Sequence, residues 1–255
     1  GPANAANCPG PGCRLRDAIA NANDSDVIVF DAALTAAPVT ITLSSGELTI
    51  NKGIQIIGPL NKNLTISGNN VTQIFYVNAD PLGNPKDVAF QNLVLTKGNG
   101  FSAFSGLIGS KSGGAIGIRF GNLTVINCTF TDNVGDSGGA IFNLFNTLKV
   151  TDCTFTGNKG DDGAGGGAGG AIVNSGSFLI VNNSTFNLNS TPNGGGAIRL
   201  SAGQGIIIQS TFTANTAGGG GAIDQTSPGA MLLANCTITG NTAMYFGGGI
   251  KTLDP

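Results

Sequence analysis

The chain contains no histidine and no tryptophan, and only 10% of its 255 residues are charged. Without histidine it lacks the commonest general base and the commonest metal ligand, which excludes Ser-His-Asp, Cys-His and histidine-based zinc sites. Twelve basic residues against 14 acidic ones leave a net charge of −2. That balance offers no basic footprint for nucleic acid and no polybasic patch for a membrane surface. No run of about 18 apolar residues occurs, so no helix spans a bilayer. What the chain does have is glycine, 42 residues of it, placed with a fixed beat.

Six copies of one phrase mark that beat: Gly113-Gly114-Ala115-Ile116, Gly138-Gly139-Ala140-Ile141, Gly169-Gly170-Ala171-Ile172, Gly195-Gly196-Ala197-Ile198, Gly220-Gly221-Ala222-Ile223 and the imperfect Gly247-Gly248-Gly249-Ile250. Their isoleucines lie 25, 31, 26, 25 and 27 residues apart. A period of this size signals stacked repeats rather than one globular core. A second phrase keeps the same time. It reads Cys128-Thr129-Phe130-Thr131-Asp132-Asn133, then Cys153-Thr154-Phe155-Thr156-Gly157-Asn158. Next come Ser184-Thr185-Phe186-Asn187-Leu188-Asn189, Ser210-Thr211-Phe212-Thr213-Ala214-Asn215 and Cys236-Thr237-Ile238-Thr239-Gly240-Asn241. Its alternation has period two, the period of a strand.

A short apolar stretch lies between the two phrases, as in Leu123-Thr124-Val125-Ile126 and Ile206-Ile207-Ile208. Each repeat therefore holds three short strands and three bends, which is one turn of a parallel β-helix. Strands of successive turns pair at a spacing of about 4.8 Å, and one turn cannot cover its own faces. The fold expected is all-β: a right-handed, single-stranded parallel β-helix of three sheets and about nine turns, a rod about 40 Å long. Phe130, Phe155, Phe186 and Phe212 should stack inside it. Asn133, Asn158, Asn189, Asn215 and Asn241 should form an amide ladder and take the left-handed conformation at the strand end. Glycine should serve corners that need positive φ. Two outward files are expected, Thr129, Thr154, Thr185, Thr211 and Thr237 in one, and Thr131, Thr156, Asn187, Thr213 and Thr239 in the other.

The organisation expected is a single domain over 3–255, with an N-terminal cap at 3–30, irregular first turns at 31–112 and the repeats at 113–255. Gly1-Pro2 reads as a cleavage remnant of recombinant expression. The chain stops just after a Gly-Gly-Gly-Ile phrase, so a longer solenoid truncated at its C-terminus is expected. In the cap, Cys13 to Asn23 reads as a short helix with Leu15, Ile19 and Ala22 on one face, covering the open end of the tube. Strand candidates follow at Val27–Phe30, Val39–Leu43, Glu47–Ile50, Ile54–Ile57, Leu64–Ile66, Ile74–Val77 and Val88–Leu95.

The five cysteines fall into two classes. Cys8 and Cys13 bracket a Pro/Gly-rich segment and are either a disulfide of an exported protein or two free thiols, the disulfide being favoured. Cys128, Cys153 and Cys236 stand where Ser184 and Ser210 stand in other repeats, as inward packing thiols.

Gly-Gly-Ala-Ile alternating with Phe-x-x-Asn over 113–250 resembles the repeat of polymorphic outer membrane proteins, the chlamydial autotransporter adhesins. Phe130/Asn133, Phe155/Asn158, Phe186/Asn189 and Phe212/Asn215 fit that pattern, and Ile238 replaces Phe in the last copy. Cys13-Arg14-Leu15-Arg16-Asp17-Ala18 is similar to the CSLREA-type segment that opens many bacterial secreted β-helix proteins, departing at Arg14 and Asp17. The resemblance implies a right-handed β-helix in a large exported bacterial protein, at the cell surface or outer membrane, anchored to membrane or wall, with a host-cell or environmental glycan or protein as partner.

Enzymatic chemistry is thin. Asp161 and Asp162, in the Gly-rich insertion behind the 31-residue spacing, are the one candidate for Ca²⁺, although such sites want six or more oxygens. A solvated loop is the plainer reading. Asp132 and Asp136 form a weak pair near a corner. Arg119 and Arg199 occupy equivalent positions after Ile116 and Ile198, with no carboxylate ladder beside them, and no glycosidase pair is evident. The expectation is a non-enzymatic adhesin-like or passenger-like module without cofactor, whose loops at 98–112, 159–168 and 190–194 carry specificity. A pectate-lyase-like lyase or hydrolase of acidic polysaccharide is the alternative. Ice binding through the Thr-x-Thr files is a lesser one, since threonine is also simply a good exposed strand residue.

Overall fold

The computed structural model describes residues 8, 10, 12–78, 86–100, 112–161, 167–176, 178–226 and 229–253. Three parallel sheets of eight strands each run its length. Sheet 1 contains Val27–Val29, Gln55–Ile57, Asp87–Gln91, Asn122–Ile126, Leu148–Thr151, Phe178–Asn182, Gln204–Ile208 and Met231–Ala234. Sheet 2 contains Val39–Thr42, Leu64–Ser67, Val94–Thr96, Thr129–Thr131, Thr154–Thr156, Thr185–Asn187, Thr211–Thr213 and Thr237–Thr239. Sheet 3 contains Leu48–Ile50, Phe75–Asn78, Ile116–Phe120, Ile141–Leu144, Ile172–Ser175, Ile198–Ser201, Ile223–Gln225 and Ile250–Lys251. The chain visits the sheets in the order 1, 2, 3 and repeats, which is a parallel β-helix of eight rungs. Eight replace the expected nine or so because the circuit from Phe75 to its partner Ile116 takes 41 residues.

Register holds across the rungs. Ile116, Ile141, Ile172, Ile198, Ile223 and Ile250 pair in one file, and all but Ile250 are wholly buried. Phe130, Phe155, Phe186 and Phe212 stack with centroids 4.6, 4.7 and 4.8 Å apart and planes within 4° of parallel. Each such ring contributes about 1.5–3 kcal/mol by burial and about 0.5–1.5 kcal/mol by stacking. The first rungs share this architecture although they lack both phrases: Leu48 and Phe75 continue the isoleucine file, and Ile66 and Leu95 continue the phenylalanine file. Any large apolar residue fills an inward position, so the coil starts well before its signature does. The single strand expected at Val88–Leu95 is two, divided by Asn92 at φ 57°.

The corners differ from expectation in a consistent way. At the end of sheet 2 the left-handed residue is the one before the ladder asparagine: Asp132, Gly157, Leu188, Ala214 and Gly240 have φ of 52–66°. The asparagine itself must keep its amide pointing into the tube, so its neighbour makes the bend. A second left-handed column, Asn127, Asp152, Asn183, Gln209 and Asn235, turns sheet 1 into sheet 2. Most Gly-Gly pairs serve close approach rather than positive φ. A methyl group on Gly139 or Gly170 would collide with the carbonyl oxygen of Gly170 or Gly196 on the next rung. There the chain folds back against sheet 3 in a fourth, short ladder that was not foreseen. It passes through Asn99–Gly100, Val134–Gly135 and Lys159–Gly160, crosses Ser190, and continues through Thr216–Ala217 and Thr242–Ala243.

The helix is Leu15–Asn21, with Leu15 and Ile19 buried against the first rungs. Arg16 donates from Nη1 to the Glu47 carbonyl at 2.7 Å and from Nη2 to Gly46 at 2.6 Å. Lys52 Nζ reaches the last carbonyls of the helix, at Ala20 and Ala22, a favourable place for a cation. Arg14 and Asp17 close a capping box, and their ion pair holds the Asp17 carboxyl below the ordinary range. Lys86 and the Gly53 N–H do the same for Asp24.

Candidate functional site

The asparagine ladder is the best-satisfied polar array in the tube. Asn133, Asn158, Asn189 and Asn215 are wholly buried. Asn158 donates from Nδ2 to Asn189 Oδ1 at 2.9 Å and to the Phe130 carbonyl at 3.0 Å. Its Oδ1 accepts from the Asn133 N–H at 3.2 Å and from Asn133 Nδ2 at 2.9 Å. Asn189, Asn215 and Asn241 repeat the pattern along the axis. Inside the tube, Asn143 and Asn174 form a second amide pair at 2.7 Å, which no repeated phrase announced. The ladder is structural, so contact with a ligand falls to the outward faces.

Sheet 2 presents the threonine face. Thr129, Thr154, Thr185, Thr211 and Thr237 lie in one file, and Thr131, Thr156, Asn187, Thr213 and Thr239 in the other. The structure lengthens both files beyond the repeats. Thr40 and Thr65 extend the first through Val94, while Thr42, Ser67 and Thr96 extend the second. Eight rungs make a grid about 34 Å long with files about 6.7 Å apart. Lys62 Nζ lies 3.4 Å from Thr129 Oγ1, and Thr96 and Thr131 hydroxyls are 3.4 Å apart.

Sheet 3 is covered on its outer side by the chain itself. Phe142, Leu144, Ala168 and Val173 form an apolar cluster there. Next to it is a charged file that the sequence did not reveal. Arg199 pairs in register with Asp224, and Asp224 with Lys251. Asp224 is 1% exposed and 3.3 Å from Lys251 Nζ, which also lies over the Phe246 ring. Arg119 is not equivalent to Arg199: Ile116 and Ile198 share a file, but Arg119 stands three residues after the first and Arg199 one after the second; Arg119 sits 5.5 Å from the Phe120 ring instead. The carboxylate expected to be missing beside Arg199 is therefore present one rung on.

Asp161 is ion-paired to Lys159 at 2.7 Å, while Asp162 lies outside the described residues. Asp132 is a corner residue with φ 52°. Of the three loops expected to carry specificity, 98–112 lies outside the described residues over 101–111, and 159–168 over 162–166. Among the described residues, no group of three or more His, Cys, Asp or Glu gathers in metal-binding distance, and no helix is long and apolar enough to cross a membrane. Cys8 and Cys13 form a disulfide. Cys128 and Cys153 are free and buried, and Cys236 is free and half-buried on the last rung. Burial, joined by the neighbouring Cys128, pushes the Cys153 thiol well above its ordinary range.

A rod of parallel rungs with an internal amide ladder and extra chain length at the turn from sheet 2 to sheet 3 is a solenoid of the parallel β-helix class. Residues 127–144 match the Chlamydia polymorphic membrane protein repeat, so the chain carries the repeat of that family. The matched segment runs from the left-handed Asn127 through the Phe130 strand and Asn133 to Leu144, covering the sheet 2 and sheet 3 strands of one circuit but not its sheet 1 strand. No curated protein and no solved structure matches the chain.

Proposed function

We propose that the chain is a non-enzymatic display rod of a bacterial outer surface, binding a glycan or protein partner through loops carried on a rigid coil. Two observations support this. The repeat it carries is that of an outer-membrane family. Above all, the long insertions at 101–111 and 162–166 both fall at the turn from sheet 2 to sheet 3 while register continues on either side. Such a scaffold varies its loops without disturbing its core. The test is a glycan array together with adhesion of the purified chain to host cells, with 101–111 and 162–166 each shortened to a Gly-Ser link. Binding that vanishes with the loops supports the reading. Blank arrays and no adhesion, or release of unsaturated oligosaccharides from polygalacturonate or alginate, would overturn it.

The grid of sheet 2 favours a second reading, ice binding, because hydroxyl and methyl groups repeat there on a flat face across eight rungs. Thermal hysteresis and ice-crystal shaping, abolished by Thr185→Tyr, would be the expected result. Unshaped ice at millimolar chain ends that reading.

A further inference from the structure

One corner of the coil is built against the pattern of the others. At the turn from sheet 3 to sheet 1, Gly121, Gly176 and Ala202 take the left-handed conformation, with φ of 109°, 68° and 54°. On the fourth rung the residue there is Phe145, at φ 78°. A bulky side chain in that region is a strained outlier. Its ring is 56% exposed, so little burial offsets the strain. Phe145 stacks on Phe120 of the third rung, with centroids 6.1 Å apart and planes 24° from parallel. Towards the fifth rung stands Gly176, where a Cβ would lie 3.5 Å from the ring; glycine leaves that side uncovered. Phe120 follows a slip in register against the second rung, and such bulges re-aim side chains. Arg119 lies 5.5 Å from the Phe120 ring. Arg14 has Asp17 as its counterion, and Arg16 has two carbonyls. Arg119 is half-buried and has no ion pair among the described residues. Its Nε is buried without a hydrogen-bond partner, and so is Oδ1 of Asn78, the residue paired with Phe120. Two unsatisfied polar atoms at one corner call for an explanation.

We propose that this corner is a binding site for an acidic glycan, separate from the loops, with a sugar ring on Phe145 and a sugar carboxylate on Arg119. It rests on the display-rod reading for the class of partner, and adds the place and the charge. Strain held at an exposed ring marks a side chain kept for contact rather than for packing. The C–H face of a pyranose is apolar and lies flat on an aromatic ring, and Gly176 leaves such a face of Phe145 open. A half-buried cation without a counterion selects an anionic partner. The carboxylate of a uronate accepts the charged hydrogen bond that the chain itself does not provide. The contact of Arg119 with Phe120 is of the cation–π kind, and it keeps the guanidinium at one end of the ring pair. The order Arg119, Phe120, Phe145 therefore lays the ligand along the rod, from the third rung to the fourth. A single arginine in a chain of net charge −2 offers no track for the successive phosphates of a nucleic acid.

Isothermal titration of the purified chain with a hyaluronan hexasaccharide, which alternates a uronate with N-acetylglucosamine, tests the assignment. Chitohexaose is its uncharged counterpart. The hexasaccharide with carboxylates should bind at least about tenfold tighter, one charged hydrogen bond being the difference. Arg119→Gln should abolish that preference. Phe145→Gly should weaken both sugars while the urea midpoint holds or rises, because glycine accepts positive φ freely. A ring that served packing alone would lower the midpoint on removal and leave binding untouched. Replacing 101–111 and 162–166 by Gly-Ser links should leave the hexasaccharide bound, so the corner and the loops fail separately. Adhesion that depends on the loops, with no hexasaccharide bound, would overturn the corner alone; blank adhesion with the hexasaccharide still bound would overturn the loops alone. Absence of binding at millimolar sugar, equal binding of chitohexaose, or a midpoint lowered by Phe145→Gly would each overturn the proposal. So would equal binding of oligoglutamate, which would make an acidic peptide the occupant.

Discussion

Replacing Asn158 by alanine probes the ladder where its partners are best defined. The amide of Asn158 makes four hydrogen bonds: two donated, to Asn189 Oδ1 and the Phe130 carbonyl, and two accepted, from the Asn133 N–H and Asn133 Nδ2. At about 1 kcal/mol net for each bond, their loss alone costs about 4 kcal/mol. A second consequence is what stays behind. The Asn133 N–H is buried and has no other acceptor in the ladder, and one orphaned buried donor costs about 1–3 kcal/mol. Asn133 Nδ2 keeps its bond to the Leu95 carbonyl, and Asn189 Oδ1 still accepts from the Asn158 N–H, so those groups soften the loss. We expect destabilisation of about 3–5 kcal/mol. The control is Asn183→Ala, an exposed corner amide bonded to Asp152 Oδ1, expected to cost about 1 kcal/mol because alanine is less at ease than asparagine at its φ of 46°. Urea unfolding gives the free energies. Amide hydrogen exchange should show lost protection centred on Thr129–Asn133 and Thr185–Asn189. If Asn158→Ala costs no more than Asn183→Ala, or if exchange quickens evenly along the rod, the ladder is not what holds successive rungs in register.

Other outcomes follow from the same geometry. Phe186→Ala, which removes the middle of a close ring stack, should cost about 3–5 kcal/mol in the same assay. Gly170→Ala should cost about 1–3 kcal/mol because its methyl group meets the Gly196 carbonyl, whereas Gly46→Pro, at φ 80° on an open turn, would disturb the cap alone. The carboxyls of Asp17 and Asp24 are lowered by their Arg14 and Lys86 partners. Their stabilisation is complete above the ordinary carboxylate range and is lost as pH falls through the lowered values, so exchange at Leu15–Asn21 should quicken at acid pH while the rungs stay protected. Cys128 and Cys153 should resist alkylation at neutral pH until the chain unfolds, as burial and the raised Cys153 thiol require, and mass spectrometry of labelled protein reads this directly.

The threonine face, the phenylalanine stack and the asparagine ladder were legible because one strand per rung repeats with period two, and residues two apart must share a face. The helix was legible from Leu15 and Ile19, and the disulfide from a pair of cysteines around a tight Pro/Gly segment. The left-handed corners were misplaced by one residue because Asp132, Leu188 and Ala214 have no common side-chain chemistry; a column of positive φ leaves no consensus when aspartate, glycine, leucine and alanine all fill it. The first three rungs looked irregular for a related reason. Inward positions demand only bulk and apolarity, so Leu48, Phe75 and Ile116 share a file without sharing a phrase.

By itself, then, the sequence determined the period of the coil, the inward residues and the polar ladder, because each of these rests on local alternation repeated at a fixed interval. Only the tertiary structure decided which residues from different rungs meet. It set Asp224 between Arg199 and Lys251 and covered sheet 3 with its own chain. Such matches depend on the pairing register of each strand, and a slip of one residue would turn all its side chains to the other face.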